Sequence, residues 1–367
     1  MKIGIISPYA LPEKGAASMR IESFLNYFKN QGHKTTIYAP LRKDIQKKER
    51  AEVKRYSKIR ELWKGLKKED FLIITSPPIQ TAFLIIPLLR LKQIPFLFDS
   101  RDLAAVNNKK FKNLKTFMEK YCVKLSNKIS TATEYSKEYY IKNYKISQKK
   151  IKTIPNGVDR SVIYFVRGAR KKIRRELNIP EKAKTIVYTG ILGKNHDIEG
   201  FINSLDKQFM DKNNLFIVMI LIVGDTENKS VIRLKKIEKT IEKKELVNKF
   251  RIIKNISPEK IKEYLSAFDI GITPMLSNKD NLYTLPVKTY EYLSCNLGVI
   301  GVGAKNGEID KFLKRSDFGF FIHKWQNFKP QLQKFLKKKD KIKIPLKLLE
   351  SIDRKESAKK LLEFIEE

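Results

Sequence analysis

The chain has 367 residues, 42% hydrophobic and 32% charged. This balance excludes a disordered or fibrous protein and leaves length for about two domains, each with its own core. With 76 Lys and Arg against 40 Asp and Glu, the formal charge is +36, which favours phosphorylated ligands, anionic lipid or nucleic acid, although much of it reads as solvated surface, since basic runs alone are weak signals. The two cysteines, Cys122 and Cys295, share no CxxC spacing. No disulfide framework and no zinc site are therefore expected, and a reducing cytoplasm is the natural setting.

In chain order, Lys2-Ile3-Gly4-Ile5-Ile6-Ser7 is a short apolar run ended by Pro8, the pattern of a buried parallel strand and too short for a signal peptide. A loop over residues 9–15 leads to a helix over 16–29, with Ile21, Phe24, Leu25 and Phe28 on one stripe. Gly32 stops it and 35–39 is a second strand, so a right-handed crossover in a parallel sheet is expected. Residues 41–68 are charged and weakly patterned and receive no assignment. The stretch 71–98 is the most hydrophobic, but Thr75-Ser76-Pro77-Pro78, Arg90-Leu91-Lys92-Gln93 and Pro95 interrupt it. A spanning helix needs about 20 apolar residues in a row, so this stretch reads as strand (71–75), helix (80–91) and strand (96–99). Further strands at 128–133 and 151–154 complete a doubly wound α/β domain.

The alternation restarts after Pro180. Thr185-Ile186-Val187-Tyr188-Thr189-Gly190 is a strand and glycine turn, and 215–223 is an apolar strand ending at Gly224-Asp225. Another strand spans 251–254, after which Ser257 and Pro258 are expected to open a helix as N-cap and first residue. Strands at 270–274, 299–302 and 318–322 complete a second βα series. Residues 353–364 form an amphipathic helix with Ala358, Leu361, Leu362 and Ile365 on one side. The boundary falls in the Arg- and Lys-dense stretch 160–182.

Doubly wound domains bind ligands at the carboxyl ends of their strands, and five segments sit there. In Pro12-Glu13-Lys14-Gly15-Ala16-Ala17-Ser18-Met19-Arg20, Gly15 permits close backbone approach, the helix start offers free N–H groups, and Arg20 adds a cation; an ordinary turn with a surface arginine explains it equally. The segment is not a GxGxxG fingerprint. Asp99-Ser100-Arg101-Asp102-Leu103 places two carboxylates around an arginine, suited to orienting a hydroxyl or taking its proton, or else to a structural ion pair. Pro155-Asn156-Gly157-Val158-Asp159 signals a turn. In Tyr188-Thr189-Gly190-Ile191-Leu192-Gly193-Lys194-Asn195-His196, the glycines and Lys194 suit a diphosphate, while a lone His196 is more often structural.

The fifth segment, Leu285-Pro286-Val287-Lys288-Thr289-Tyr290-Glu291-Tyr292-Leu293-Ser294-Cys295-Asn296, is the most informative. Pro286 opens a helix, Lys288 falls in its first turn and Glu291 one turn on. A cation there opposes the helix dipole, a conflict that an anionic ligand relieves. Lys288 suits a phosphate and Glu291 the two hydroxyls of a ribose; an (i, i+3) surface pair is the plain alternative.

The ordered set Ile6-Ser7-Pro8-Tyr9 with Pro12-Glu13-Lys14-Gly15, Ser76-Pro77-Pro78, Phe98-Asp99-Ser100-Arg101-Asp102-Leu103, Ile154-Pro155-Asn156-Gly157-Val158-Asp159, Tyr188-Thr189-Gly190 and Leu285-Pro286-Val287-Lys288 with Glu291-Tyr292-Leu293 resembles family 4 glycosyltransferases of the GT-B fold. It looks most like the branch building bacterial surface polysaccharides, including the amino-sugar transferases of O-antigen (lipopolysaccharide) and capsule synthesis. The resemblance covers nearly the whole chain. It implies two Rossmann-like doubly wound domains facing a cleft: 1–165 on the acceptor side, 166–345 holding the nucleotide sugar, and 346–367 a C-terminal helix crossing back onto the first domain. It implies Glu291 on the donor ribose, Lys288 on the donor phosphates, Gly15 beside the donor, and Asp102 where the family places an active-site His-Asp or Arg-Asp pair. From the residues themselves, Arg20, Gly190 and Lys194 are further expected donor contacts, and Asp102, Lys288 and Glu291 are the expected catalytic residues. Three positions depart from the family pattern: Tyr283 stands where a second glutamate is usual, Ile191 replaces an arginine, and Gly15-Ala16 replaces Gly-Gly.

The expected activity is a metal- and cofactor-independent, retaining transfer from a nucleotide-diphosphate sugar, a UDP-sugar for preference, to a glycan or lipid-linked sugar. The expected setting is cytoplasmic, peripheral on the inner membrane face, where a basic helix over 109–128 could meet anionic lipid or simply turn its apolar side to a core. The alternatives are a sugar-nucleotide epimerase of the same build and a catalytically inactive basic binding protein. A nucleic-acid binder is disfavoured because no helix-turn-helix, RRM or zinc-finger pattern is present.

Overall fold

A computed structural model describes residues 1–13, 15–42, 50–104, 111–223, 229–314, 316–337 and 344–367. Lys14, the expected strand end at Gly224-Asp225, residues 43–49 of the unassigned stretch, and the first residues of the basic helix expected from 109 lie outside these. The chain forms two compact units, Met1–Asp159 with Ser351–Glu367, and Arg160–Glu350. The first unit therefore ends before residue 165, and the second continues past 345.

The first unit carries strands β1 (Lys2–Ile6), β2 (Lys34–Pro40), β3 (Val53–Tyr56), β4 (Phe71–Ser76), β5 (Phe96–Ser100), β6 (Lys128–Thr131) and β7 (Ile151–Thr153). They pair in parallel in the order β3-β2-β1-β4-β5-β6-β7. Its helices are α1 (Ala16–Asn30), α2 (Ile59–Leu66), α3 (Ile79–Leu91), α4 (Lys112–Leu125) and α5 (Glu134–Tyr144). The second unit holds β8 (Lys184–Gly190), β9 (Leu215–Leu221), β10 (Phe250–Lys254), β11 (Ile270–Pro274), β12 (Gly298–Val302) and β13 (Gly319–Ile322), parallel in the order β10-β9-β8-β11-β12-β13. Around them lie α6 (Ala169–Glu176), α7 (Ile198–Asn203), α8 (Lys207–Lys212), α9 (Lys229–Lys243), α10 (Ile261–Ser266), α11 (Val287–Ser294), α12 (Glu308–Leu313) and α13 (Phe328–Leu336). Two last helices, α14 (Leu346–Ser351) and α15 (Arg354–Glu366), end the chain.

Strands β4 (FLIITS) and β9 (LFIVMIL) are buried along their whole length, as a parallel strand covered by helices on both faces requires. In each sheet the order of strands reverses once, between β1 and β4 in the first and between β8 and β11 in the second. Those switch points leave a crevice at the carboxyl ends of the flanking strands.

The chain returns to its first unit through α15. Ala358, Leu361 and Leu362 pack in one cluster with Ile21, Phe24, Leu25 and Phe28 of α1. The entry is pinned by backbone bonds from Val158 N to Ile352 O (2.8 Å) and from Arg354 N to Val158 O (3.0 Å).

Two segments differ from the sequence reading. The unassigned stretch contains β3 and α2; α2 buries only Leu62 and Leu66, an (i, i+4) pair hidden among charges. The helix expected from Ser257 begins at Ile261 instead. Lys260 N bonds Ser257 O at 3.0 Å, an i→i+3 bond that closes a turn and delays the helix.

Leu361 is fully buried, so Leu361→Ala should cost about 2–5 kcal/mol through lost burial and an unfilled cavity. A lowered urea midpoint checks this; an unchanged midpoint would mean that α15 adds nothing to the first unit.

Candidate active site

The site of the second unit is built on a missing side chain. Gly271 on β11 has no Cβ, and one placed there would overlap the Tyr292 ring. Tyr292, in the middle of α11, thus lies flat against bare strand backbone and is fully buried. Its hydroxyl accepts from Thr189 N at 3.0 Å and donates to Ile272 O at 3.4 Å. One side chain therefore ties α11 to β8 and β11 at their switch point.

This anchoring brings the amino end of α11 to the turn after β8. Gly190 there has φ +116°, and a Cβ would lie 3.3 Å from Lys288 Nζ, so both backbone and space favour glycine. Lys288 Nζ lies 4.1 Å from the Tyr188 ring centroid, an attractive cation–π contact. The Tyr188 hydroxyl donates to Ile191 O at 2.6 Å and holds the turn. Among the described residues Lys288 Nζ is buried and has no hydrogen-bond partner. Burial pushes its pKa down to about 7, with the Glu291 charge opposing. Glu291 is half-buried on the same helix. First-turn N–H groups and an unpaired ammonium at one helix end make an incomplete anion site.

The loop after Gly190 is held by Arg233 of α9, which sequence reasoning passed over. Its guanidinium donates to Gly193 O (2.6 Å), His196 O (2.6 Å) and Glu199 Oε1 (2.7 Å). An exposed helical lysine-rich stretch gives no sign of such a clamp, because its acceptors are backbone carbonyls about forty residues away. The His196 ring meets Tyr188 edge-on at 5.8 Å between centroids, and its Nδ1 is buried without a partner. Burial first, then the charges of Lys288 and Arg233, drive its pKa down to about 3, so this imidazole is neutral near pH 7. Asp197 caps α7 and accepts from Trp325 Nε1 at 2.7 Å.

Lys194 stands exposed on this loop and forms no ion pair among the described residues, and Ile191 is exposed as well. Tyr283 is buried. A cavity of 440 Å³ lined by Gly200, Asn203, Ser204, Trp325, Gln326 and Lys329 contains none of the residues around Lys288. Among the described residues no group of three or more His, Cys, Asp or Glu could hold a metal ion.

In the first unit Arg20 is not a free cation. It is almost fully buried; it donates to Pro155 O (2.6 Å) and Ile154 O (3.0 Å), pairs with Asp99 (3.2 Å) and lies over Phe24. Ser130 Oγ donates to the same Asp99 oxygen at 2.6 Å. The sequence analysis expected a ligand-facing arginine; in the structure Arg20 is buried and ties α1 to β5 and to the segment after β7, while its Nε and Asp99 Oδ2 have no hydrogen-bond partner among the described residues. Gly15 begins α1 in extended backbone with open space where a Cβ would be. Asp102 follows β5; burial raises its pKa while Arg101 opposes the rise, which suits a group that accepts a proton. Its turn is held by Glu119, whose Oε1 accepts from Ala104 N at 2.6 Å.

The chain is similar in fold to several solved structures. Alr3699/HepE from Anabaena, solved in complex with UDP, has a TM-score of 0.78 at 11% identity, with each chain covered 100%. Sucrose-phosphate synthase from Thermosynechococcus elongatus has 0.74 at 14%, covering 100% of this chain and 98% of that one. WaaG, a glycosyltransferase involved in lipopolysaccharide biosynthesis, has 0.65 at 11%, covering 98% and 95%. No curated protein matches the sequence. Two doubly wound parallel sheets with the last helix returned to the first define the GT-B fold. Two family models match in succession, Glycosyltransferase Family 4 over residues 17–162 and Glycosyl transferases group 1 over residues 169–351; the chain belongs to the family 4 glycosyltransferases.

Two outcomes follow from this geometry. Lys288 has a folded pKa near 7 against an unfolded value of about 10.4. Its burial therefore destabilises the ligand-free protein below about pH 10, most strongly below pH 7, and relaxes as pH rises between the two. Lys288→Met should raise the ligand-free melting temperature by about 2 °C or more at pH 6.5 and by less at pH 9; a fall at both pH values would show the ammonium to be satisfied. Arg20→Ala should cost about 3–5 kcal/mol by removing the ion-pair partner of the buried Asp99, measured by denaturant unfolding.

Proposed function

We propose that this glycosyltransferase binds the diphosphate of a nucleotide-activated sugar at the amino end of α11 and transfers the sugar with retention to a glycan or lipid-linked acceptor in surface-polysaccharide synthesis. The observation that carries the proposal is the buried, unpartnered Lys288 ammonium beside Gly190. A diphosphate supplies what this group lacks, an acceptor and an opposite charge, and the N–H groups of the first turn of α11 add further donors. Glu291, one turn on, fits the ribose hydroxyls. Gly190 leaves room for phosphate oxygens, and exposed Lys194 is the nearest free cation on the following loop. The UDP complex of the Anabaena neighbour supports UDP as the nucleotide, and the part of WaaG in lipopolysaccharide biosynthesis supports the pathway.

Charge on the departing nucleoside diphosphate grows as the glycosidic bond to phosphate breaks. Lys288 and the helix N–H groups are fixed in place before that happens, so they stabilise the developing charge without reorganising. On the first unit, Asp102 is the candidate to orient the acceptor hydroxyl and Gly15 the candidate for close backbone approach. The neutral His196 packs the Tyr188 face and lies outside the proton traffic. The setting proposed is the cytoplasmic side of a membrane, with no metal or cofactor required.

Donor titration by calorimetry tests this. Lys288→Ala and Glu291→Ala should each weaken a UDP-sugar about 10- to 100-fold, the worth of one charge-assisted hydrogen bond; undiminished affinity in both variants would remove the proposal. Diphosphate binding raises the Lys288 pKa from about 7, so affinity should fall by up to about tenfold per pH unit above 7. In Lys288→Arg, whose guanidinium does not titrate in this range, that slope should vanish.

A further inference from the structure

Helix α3 buries Ile79, Ala82, Ile85, Ile86 and Leu89. A surface helix of this kind ordinarily turns charged residues to solvent. Instead α3 turns out Leu84, Leu88 and Leu91, which are 52%, 36% and 76% exposed. They stand at i, i+4 and i+7, a single stripe. Helix α4 packs beside it, with Phe83 of α3 against the rings of Phe117 and Tyr121. It adds Leu114 and Phe117, 55% and 58% exposed. Five large apolar side chains on adjoining helices mark an interaction surface rather than scattered exposure.

The charges around this surface select its occupant. Helix α3 contains no Asp or Glu. The one carboxylate of α4, Glu119, is buried and accepts from the Tyr140 and Tyr144 hydroxyls, each at 2.9 Å, besides Ala104 N. The charged residues these helices expose are all cationic: Arg90, Lys112, Lys120 and Lys124. Lys150 joins them, donating to Lys124 O at 2.7 Å, and burial together with the Arg90 charge pushes its pKa down. Cations are thus crowded at one rim of an apolar stripe, an arrangement that anions relieve. Among the described residues no helix is long and apolar enough to cross a membrane.

We infer that the α3–α4 face docks on a bilayer containing anionic lipid, its leucines and Phe117 entering the boundary between headgroups and acyl chains while the cationic rim meets lipid phosphates. The inference deepens the proposed function, resting on it only for the purpose of docking: it gives the surface through which a lipid-linked acceptor is met. Helix α4, which carries part of the stripe on its outer side, holds the Asp102 turn through the buried Glu119 on its inner side.

The test is co-sedimentation of the full chain with vesicles of phosphatidylcholine alone and of phosphatidylcholine mixed with phosphatidylglycerol. UDP-sugar affinity is measured by calorimetry on the same preparations. The wild type should bind the mixed vesicles at low salt, weaken at about 0.5 M salt, and bind pure phosphatidylcholine at least about tenfold more weakly. Leu84→Gln/Leu88→Gln/Leu91→Gln should lower vesicle binding about tenfold or more with UDP-sugar affinity unchanged, since these side chains are exposed. Lys120→Glu/Lys124→Glu should remove the preference for anionic lipid. No binding to mixed vesicles at low salt, or full binding by the leucine triple variant, overturns the inference. Vesicle binding without UDP-sugar binding would keep the surface and reject the enzyme's donor site.

Discussion

The contact between Tyr292 and the bare backbone at Gly271 sets the geometry on which the second unit's chemistry depends. A helix packed on a parallel sheet is normally free to slide or roll by a side chain's width. Here a ring pressed against glycine, with its hydroxyl engaged by Thr189 N and Ile272 O, permits one placement. That placement sets the amino end of α11 beside the turn at Gly190 and forces the Lys288 ammonium into a space with no acceptor. The protein keeps a cation where both burial and the helix dipole oppose it. Such a conflict is tolerable only because the rest of the unit over-determines it, through Tyr188, the Arg233 clamp and the Asp197 cap.

The two units solve the same folding problem and use their switch points differently. In the second, the turn after β8 carries a glycine beside a buried ammonium that has no acceptor. In the first, the corresponding helix α1 sends Arg20 inward to Asp99 and to the carbonyls of Ile154 and Pro155. That arginine works as a structural tie, and the carboxylate left near the strand ends is Asp102, held by a turn whose backbone bonds to the buried Glu119. Glu119 is in turn satisfied by tyrosines of α5. The outer face of α4 is thereby left free of negative charge.

The fold and the helix at Pro286 were legible because their signals are local. Apolar runs of five to seven residues, punctuated by glycine and proline, mark parallel strands, and Pro286 marks a helix start whatever surrounds it. Other features were hidden for equally physical reasons. Strand β3 and helix α2 bury too few residues for their period to stand out from the charges around them. Ser257-Pro258 carries a helix-start pattern, yet the chain closes a turn first. Arg20 and Arg233 have similar sequence surroundings to solvated arginines; their acceptors are backbone carbonyls distant in the chain, and no sequence spacing records those.

By itself, the sequence determined two doubly wound domains, an amphipathic last helix and the residue types gathered at strand ends, because each follows from periodicity and turn chemistry within a few residues; that the last helix returns to the first domain was implied only by the family resemblance. The tertiary structure alone decided which cations meet acceptors and which do not. Arg20 and Lys288 both follow a strand and both sit in the first two turns of a helix; one meets a carboxylate and two carbonyls, the other an aromatic face and no acceptor. That difference is set by what distant segments bring within hydrogen-bond reach, and it separates a structural tie from a site awaiting an anion.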